Sequence, residues 1–288
     1  MVFCFGKVYA LFIAERKPVW YTEEKAEGGS AVELRFCAAD PAGNITLLVE
    51  TPVQKEQYHT VANQLLALPK LRAEQVGFLT KPVMGGAIRL EMMGGEFCGN
   101  ATRCAGFYHA LRSDGSRFVP VEISGCSEVL QVEVDGNTAW TEMPVPMSVE
   151  PAEVDGLPMT AVRFEGIVHL VAEMPPLSRE QVAALLPRMA ERFSAPAVGL
   201  LFVEGDGMTP AVYVRNTDSL YWENSCASGS AAVACRFAAS ERDGIFRQYL
   251  QQPGGAISTE VIRRNGCIVS VRIGGKITMG SYMTVELP

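Results

Sequence analysis

The sequence predicts an α+β protein built by internal duplication, and three observations carry that expectation. A pattern of strand, helix, strands, cysteine, helix and strands runs through the first half of the chain and returns in the second. Two segments, Glu96-Phe97-Cys98-Gly99-Asn100-Ala101 and Asn224-Ser225-Cys226-Ala227-Ser228-Gly229-Ser230, each set one cysteine among small and polar residues directly before a helical stretch. The proline-rich stretch Pro144–Pro158 separates the repeats and reads as an exposed linker. Such a duplication implies two units rather than one continuous sheet.

In chain order, Ala31–Cys37 and Ile45–Thr51 read as strands around a turn at Asp40-Pro41-Ala42-Gly43-Asn44. Lys55–Ala67 has Tyr58, Val61, Ala62, Leu65 and Leu66 at the spacing of a helix face. Val76–Leu79 and Ala87–Met92 read as strands, and Cys98 opens a helix to about Arg112, stopped by Ser113-Asp114-Gly115. Phe118–Ile123, Val129–Val134 and Thr138–Met143 follow as strands. In the second half Val162–Ala172 is strand-like and Arg179–Phe193 helical, with strands at Gly199–Val203 and Ala211–Val214. The Cys226 helix runs to about Arg242, before strands at Ile257–Ile262, Ile268–Ile273 and onward to Leu287. Residues 1–30 fall outside the repeat and read as an N-terminal extension of uncertain role.

The bulk numbers exclude several classes. With 288 residues, 48% apolar and 20% charged, the chain has the composition of a globular protein. A formal charge of −7, with no Lys/Arg run longer than two, gives no electrostatic case for nucleic acid. The start, Met1-Val2-Phe3-Cys4-Phe5-Gly6-Lys7, lacks the shape of a secretory signal, and no apolar run reaches the roughly 18 residues a membrane span needs. A cytoplasmic protein is expected, with no membrane partner; a homodimer is compatible with the chain. The eight cysteines include no C-x-x-C pair and the three histidines are isolated, so no metal site is expected and free thiols are the default.

Helical spacing separates the cysteines that can do chemistry from those that pack. Cys104 lies six residues after Cys98, and Cys235 nine after Cys226, positions suited to the core. Cys98 and Cys226 instead occupy helix mouths, where free amides and the helix dipole favour a negative charge. Gly99, Asn100, Ala227 and Ser228 let backbone amides approach a carboxylate closely. Two thiols flanking a carbon next to a carboxylate can invert a stereocentre, one removing the α-proton and the other delivering a proton to the opposite face. Such a pair titrates as a unit. An unperturbed thiol is only about 3% ionised at pH 7, so the helix ends are expected to pull one site towards the ~3.5–7.5 range of activated cysteines. The scheme requires no cofactor, pyridoxal phosphate included.

Cys98-Gly99-Asn100 with Arg103-Cys104, and Cys226-Ala227-Ser228-Gly229-Ser230-Ala231, resemble the two catalytic motifs of diaminopimelate epimerases. The resemblance runs from about residue 33 to the end. It implies two pseudo-symmetric diaminopimelate-epimerase-like domains, each a barrel-like sheet around a central helix, with the active site in the interdomain cleft. The implied boundaries are 31–146, with the last strand 279–288, and 147–278. A closer resemblance is to the histidine racemases of staphylopine-type metallophore pathways. It rests on Pro41-Ala42-Gly43-Asn44, Ala62-Asn63-Gln64-Leu65, Glu74-Gln75-Val76-Gly77-Phe78, Glu96–Thr102, Ser124-Gly125-Cys126-Ser127, Trp222-Glu223-Asn224-Ser225-Cys226 and Gln252-Pro253-Gly254-Gly255. The epimerases' Asn-Pro-His appears here as Ile167-Val168-His169, and Arg215–Ser225 holds no Glu-Arg-Gly. A site without those residues would leave the far end of a long, doubly zwitterionic substrate unpaired, so the resemblance implies racemisation of an ordinary amino acid, histidine first.

The same resemblance implies that Asn44 and Gln75 hold the substrate's amino end. Glu223 is a candidate for answering its ammonium, against a solvated pre-helix acid. Asn224 reads equally as a helix cap, His169 as a core histidine, Glu96 as pointing outward, and Gly254-Gly255 as a turn. Two other enzymes remain open, a diaminopimelate epimerase and a non-cysteine isomerase of the phenazine-biosynthesis type. A non-enzymatic thiol-pair redox sensor of the same fold is the alternative from a different class.

Overall fold

The computed structural model describes residues 32–113 and 115–287; the expected extension over residues 1–30 lies outside the described residues. The first half comprises β1 (Val32–Asp40), β2 (Thr46–Val49), α1 (Tyr58–Leu66), β3 (Gln75–Thr80), β4 (Ile88–Met92), α2 (Gly99–Arg112), β5 (Phe118–Ile123), β6 (Leu130–Asp135) and β7 (Thr138–Met143). The second comprises β8 (Ser148–Val154), β9 (Leu157–Phe164), β10 (Ile167–Ala172), α3 (Arg179–Arg192), β11 (Ala197–Glu204), β12 (Gly207–Val214), β13 (Ser219–Trp222), α4 (Ala227–Ala239), β14 (Gly244–Gln252), β15 (Gly255–Arg264), β16 (Cys267–Lys276) and β17 (Thr278–Leu287). The result is an α+β fold.

Strand pairing repeats. The order β17-β1-β2-β3-β4-β5-β6-β7 pairs antiparallel except at β2–β3 and β4–β5, which are parallel. The order β8-β9-β10-β11-β12-β14-β15-β16 shows the same alternation, with its parallel steps at β10–β11 and β12–β14. Each parallel step needs a crossover. Helices α1 and α3 supply the first of each set, α2 and α4 the second.

The two kinds of helix meet different surroundings. Residues Ala101, Cys104, Ala105, Phe107, Tyr108 and Ala110 of α2 share one core with β1 to β7, and Ala231 to Cys235 of α4 share another with β9 to β16. Both helices are buried on nearly every side, α4 with mostly small and apolar residues, α2 with Asn100, Thr102 and Arg103 buried among its own. Helix α3 buries one face only, and Ser178 starts it with a reciprocal capping box to Gln181.

Three expectations need correction. Hydrogen bonding does not stop between the repeats: β7 pairs with β16 over six residue pairs, so the two series form one continuous sheet. Pro144–Pro158 is not a linker but mostly the β8–β9 hairpin; prolines sit there because an edge strand leaves an N–H side free. Val162–Ala172 is two strands, turned at Glu165-Gly166, where Gly166 has φ +79°. The alternation also does not single out β13 or β14, whose outward faces carry the exposed Tyr221, Ile245 and Tyr249.

At the junction, Trp140 of β7 lies over Gly274 of β16, and a ladder of ion pairs crosses the strands. Arg272 meets Glu133 at 2.7 Å, and Arg247 meets Glu260 at 2.6 Å. A β-carbon on Gly274 would overlap the Trp140 ring. Gly274→Ala is therefore expected to cost about 1–3 kcal/mol, the usual penalty of overpacking, read as a lower urea midpoint at unchanged slope.

Candidate active site

Both helix-mouth cysteines are N-caps of the same design. Cys98 and Cys226 have extended backbone, with φ/ψ −137/111° and −115/113°. The Ala101 amide donates to Cys98 Sγ at 3.4 Å, and the Gly229 amide to Cys226 Sγ at 3.3 Å. Four residues on, the Thr102 and Ser230 hydroxyls donate back to the cap carbonyls at 2.8 and 2.7 Å. The next two residues of each helix, Gly99 and Asn100 or Ala227 and Ser228, have amides with no acceptor inside the helix. An anion is favoured at both mouths.

The mouths meet across a seam between the two strand series. Asn100 Nδ2 donates to the carbonyl and the hydroxyl of Ser225, both at 3.4 Å, immediately before Cys226. A second route starts at the Cys98 thiol, which donates to Gln75 Oε1 at 3.3 Å. Gln75 Nε2 donates to Asn44 Oδ1 at 2.5 Å, and Asn44 Nδ2 to Glu74 Oε2 at 2.8 Å. Asn224 Nδ2 donates to the other oxygen of Glu74, closing a chain from one cysteine segment to the other. Alongside, the Pro41–Asn44 turn packs backbone to backbone on Gly254. A β-carbon on Gly43 would sit 2.5 Å from Gly254 Cα, and one on Gly254 2.8 Å from Gly43 Cα. Gly254-Gly255 is thus a close-contact surface as well as a turn.

The electrostatics contradict the expectation of an acidic thiol. Burial pushes Cys98 up to about 11; the Ala101 amide and Gln75 oppose this, and the charges of Glu96 and Glu223 add to it. Cys226 is raised well above the ordinary range by burial, then by the Glu223 charge and hydrogen bond, against the weaker pull of Ser228 and the Gly229 amide. Two or three partial dipoles do not offset the loss of water around a thiolate. In the free protein both thiols are protonated at neutral pH. Glu223 has the reverse problem: burial raises its carboxyl to about 7, the charge of Glu74 adding to the rise and its hydrogen bond with Cys226 opposing it.

The structure brings the expected residues together. Asn44, Gln75, Gly99, Asn100, Glu223, Ala227 and Ser228 all lie on the two mouths or on the network joining them. The Asn100 side chain is spent on the seam, which leaves its backbone amide for a ligand. Asn224 joins Glu74 rather than capping α4, whose cap is Cys226. His169 is fully buried on β10; burial depresses it to about 3, and its Nε2 lies 3.0 Å from Ser228 Oγ. Ser228 Oγ is in turn 3.6 Å from Cys226 Sγ. Glu96 is exposed, as expected. Cys104 and Cys235 are fully buried packing residues.

Sequence reasoning passes over two members. Glu74 bridges the series through Asn44 and Asn224, and Gln252 accepts the Cys226 amide at 2.7 Å while donating to Ser230 at 2.9 Å. Each sits inside a quoted motif, beside Gln75 and before Pro253, but nothing local marks either as reaching the site.

Solved structures share this fold. A phenazine biosynthesis PhzF-family protein from Enterococcus faecalis aligns with a TM-score of 0.60 at 14% identity, covering 89% of this chain and 100% of that one. A hydroxyproline epimerase from Agrobacterium vitis, solved with bound trans-4-OH-L-proline, aligns at 0.59 and 11% identity, covering 88% and 91%. The chain has an α+β fold of racemase type. The family model "Histidine racemase CntK N-terminal domain" matches residues 33–284. A histidine racemase of Fusobacterium nucleatum is 33% identical over 242 residues, 79% of this chain and 89% of that protein. One from Staphylococcus aureus is 29% identical over 261 residues, 85% and 94%. The chain belongs to the histidine racemase family and is an isomerase, an amino-acid racemase.

Among the described residues no helix is long and apolar enough to cross a membrane, and no group of three or more His, Cys, Asp or Glu side chains could hold a metal ion.

Glu223 makes stability depend on pH. Its folded value, about 7, lies above its ordinary 4.5, so the neutral carboxyl supports the fold fully at low pH and that support is lost as pH rises through about 7. Glu223→Gln, neutral throughout, is expected to melt higher than wild type at about pH 8 and alike at about pH 4, read by thermal denaturation.

Proposed function

We propose that the chain racemises histidine, without a cofactor, by a two-base mechanism in which Cys98 and Cys226 act from opposite faces of the α-carbon. The observation that carries this reading is the pair of matched N-cap thiols joined across one seam by Asn100 and Ser225. The reading includes two pseudo-symmetric diaminopimelate-epimerase-like domains, residues 31–146 with 279–288 and residues 147–278, each a barrel-like sheet around α2 or α4, with substrate in the cleft between them. Histidine as substrate rests on the named relatives and on the absence here of Glu-Arg-Gly before the second cysteine.

The residues divide the work as follows. The amides of Gly99, Asn100, Ala227 and Ser228 receive the α-carboxylate, and Asn44, Gln75 and Glu223 face the ammonium. A carboxylate at Glu223, half ionised near neutrality, takes the proton of Cys226; the single negative charge moves from oxygen to sulfur. The Cys226 thiolate then removes the α-proton, and the Cys98 thiol gives its proton to the other face as the carbanion's electron pair forms the new C–H bond. Cys98 is left as thiolate and Cys226 as thiol, the arrangement needed for the reverse enantiomer, and proton return through solvent resets the pair. The substrate ammonium supplies a positive charge that the free site lacks, which favours a thiolate once the ligand is bound.

Cys98→Ser and Cys226→Ser should each lower interconversion of L- and D-histidine by on the order of 10²–10⁴-fold, the range for a lost acid or base, followed by optical rotation. In D₂O each single variant should still exchange the α-proton of one enantiomer from its intact face. Wild-type racemisation by either variant would rule out the two-base scheme, and exchange with alanine but not histidine would remove the substrate assignment.

A further inference from the structure

Arg103, on the second turn of α2, heads the described side chains that are fully buried when these are ranked by size. Its guanidinium donates to three neutral oxygens: Asn100 Oδ1 at 2.8 Å, the Pro41 carbonyl at 3.3 Å and the Ala139 carbonyl at 3.5 Å. Its Nε has no acceptor, and none of the ion pairs among the described residues includes it. A buried cation without an anion is a costly thing to keep in a core. An amide or an apolar side chain of similar length would fill the same space without that cost.

What surrounds the charge suggests its use. Burial pulls the guanidinium down to about 10, and the groups that act the other way are the thiols of Cys104 and Cys98. Cys104 sits deep in the core, and burial raises it far beyond ionisation even against the pull of the Arg103 charge, the charges of Cys98, Asp40 and Cys37 adding to the rise. Cys98, at the edge of the site, is the thiol left to carry the counter-charge. None of the groups facing Cys98 from other elements supplies a positive charge: Glu96 precedes it, Glu223 reaches it from the other strand series, and both charges oppose a thiolate, while Gln75 on β3 lowers the thiol only through a neutral hydrogen bond. Arg103 also holds the oxygen of the same Asn100 amide whose nitrogen donates to Ser225.

We propose that Arg103 is a positioning residue of the racemase: it stores the counter-charge for the Cys98 thiolate inside α2 and, through Asn100 and Ser225, holds that thiol in register with the segment carrying Cys226. The inference rests on the reading of Cys98 as one of the two bases. When Cys98 gives up its proton, one negative charge appears at the mouth of α2, and the unpaired guanidinium balances it without any movement of charge from outside.

The test reads Cys98 directly. The full chain is treated with iodoacetamide between about pH 7 and 10, and alkylation at residue 98 is followed by peptide mass, with the exposed Cys267 as reference. Arg103→Met should slow Cys98 alkylation about tenfold at a given pH, a shift of about one unit, with Cys267 unchanged. Arg103→Lys should restore most of the rate. An unchanged rate in a folded Arg103→Met protein overturns the proposal, and so does an equal loss in Arg103→Met and Arg103→Lys, which would mark a purely steric role. Should Arg103→Met fail to fold, Asn100→Asp supplies a carboxylate at the contact the guanidinium already makes. The same slowing is then expected, and its absence overturns the proposal. Because the readout is reactivity rather than turnover, a Cys98→Ser variant that still racemises would sink the two-base reading while leaving this result standing.

Discussion

Two thiols that cannot ionise cheaply are the constraint on which the rest of the site depends. Cys98 and Cys226 cap buried helices, and the water they have lost counts for more than the amides they have gained. Both protons therefore stay in place at neutral pH. In the proposed two-base scheme, reactivity must then arrive with something else: a carboxyl poised near 7, a bound ammonium, or a cation already stored in the core. Glu223 and Arg103 are the groups to which that scheme assigns these parts, one on each side of the seam.

The seam has its own physical logic. Two strand series with the same order of parallel and antiparallel steps are held at one border by the β7–β16 ladder and its ion pairs. At the site they are held instead by small residues and amides: Gly43 against Gly254, Asn100 against Ser225, Asn224 against Glu74. Backbone-to-backbone approach needs glycine, and neutral amides can bridge without adding charge beside a thiol. Glu74, the one carboxylate in the bridge, has both oxygens engaged by Asn side chains. The two cysteine segments are thus joined by contacts between the halves.

Much of this was legible in the linear order of residues. Strand limits at Phe118–Ile123 and Thr138–Met143 fall where alternation puts them, and both cysteine helices begin one residue after the thiol. The elements that escaped share a reason. In β8 the prolines mimic a linker because an edge strand tolerates them, and in β14 the side chains alternate between partly buried and exposed, so no hydrophobic run stands out. Glu74 and Gln252 escaped because a residue's partners 150 or 26 positions away leave no local trace.

Sequence alone determined the duplication and the place of Cys98 and Cys226 at helix starts, because small polar residues before a helical period are a local signal. It also carried the likeness to a racemase family, through short motifs kept in order. Only the tertiary structure decided the acidity of the thiols, the continuous sheet and the charge buried at Arg103. Those depend on how much water is excluded and on which distant groups are packed alongside, and burial is a property of the whole fold rather than of any segment.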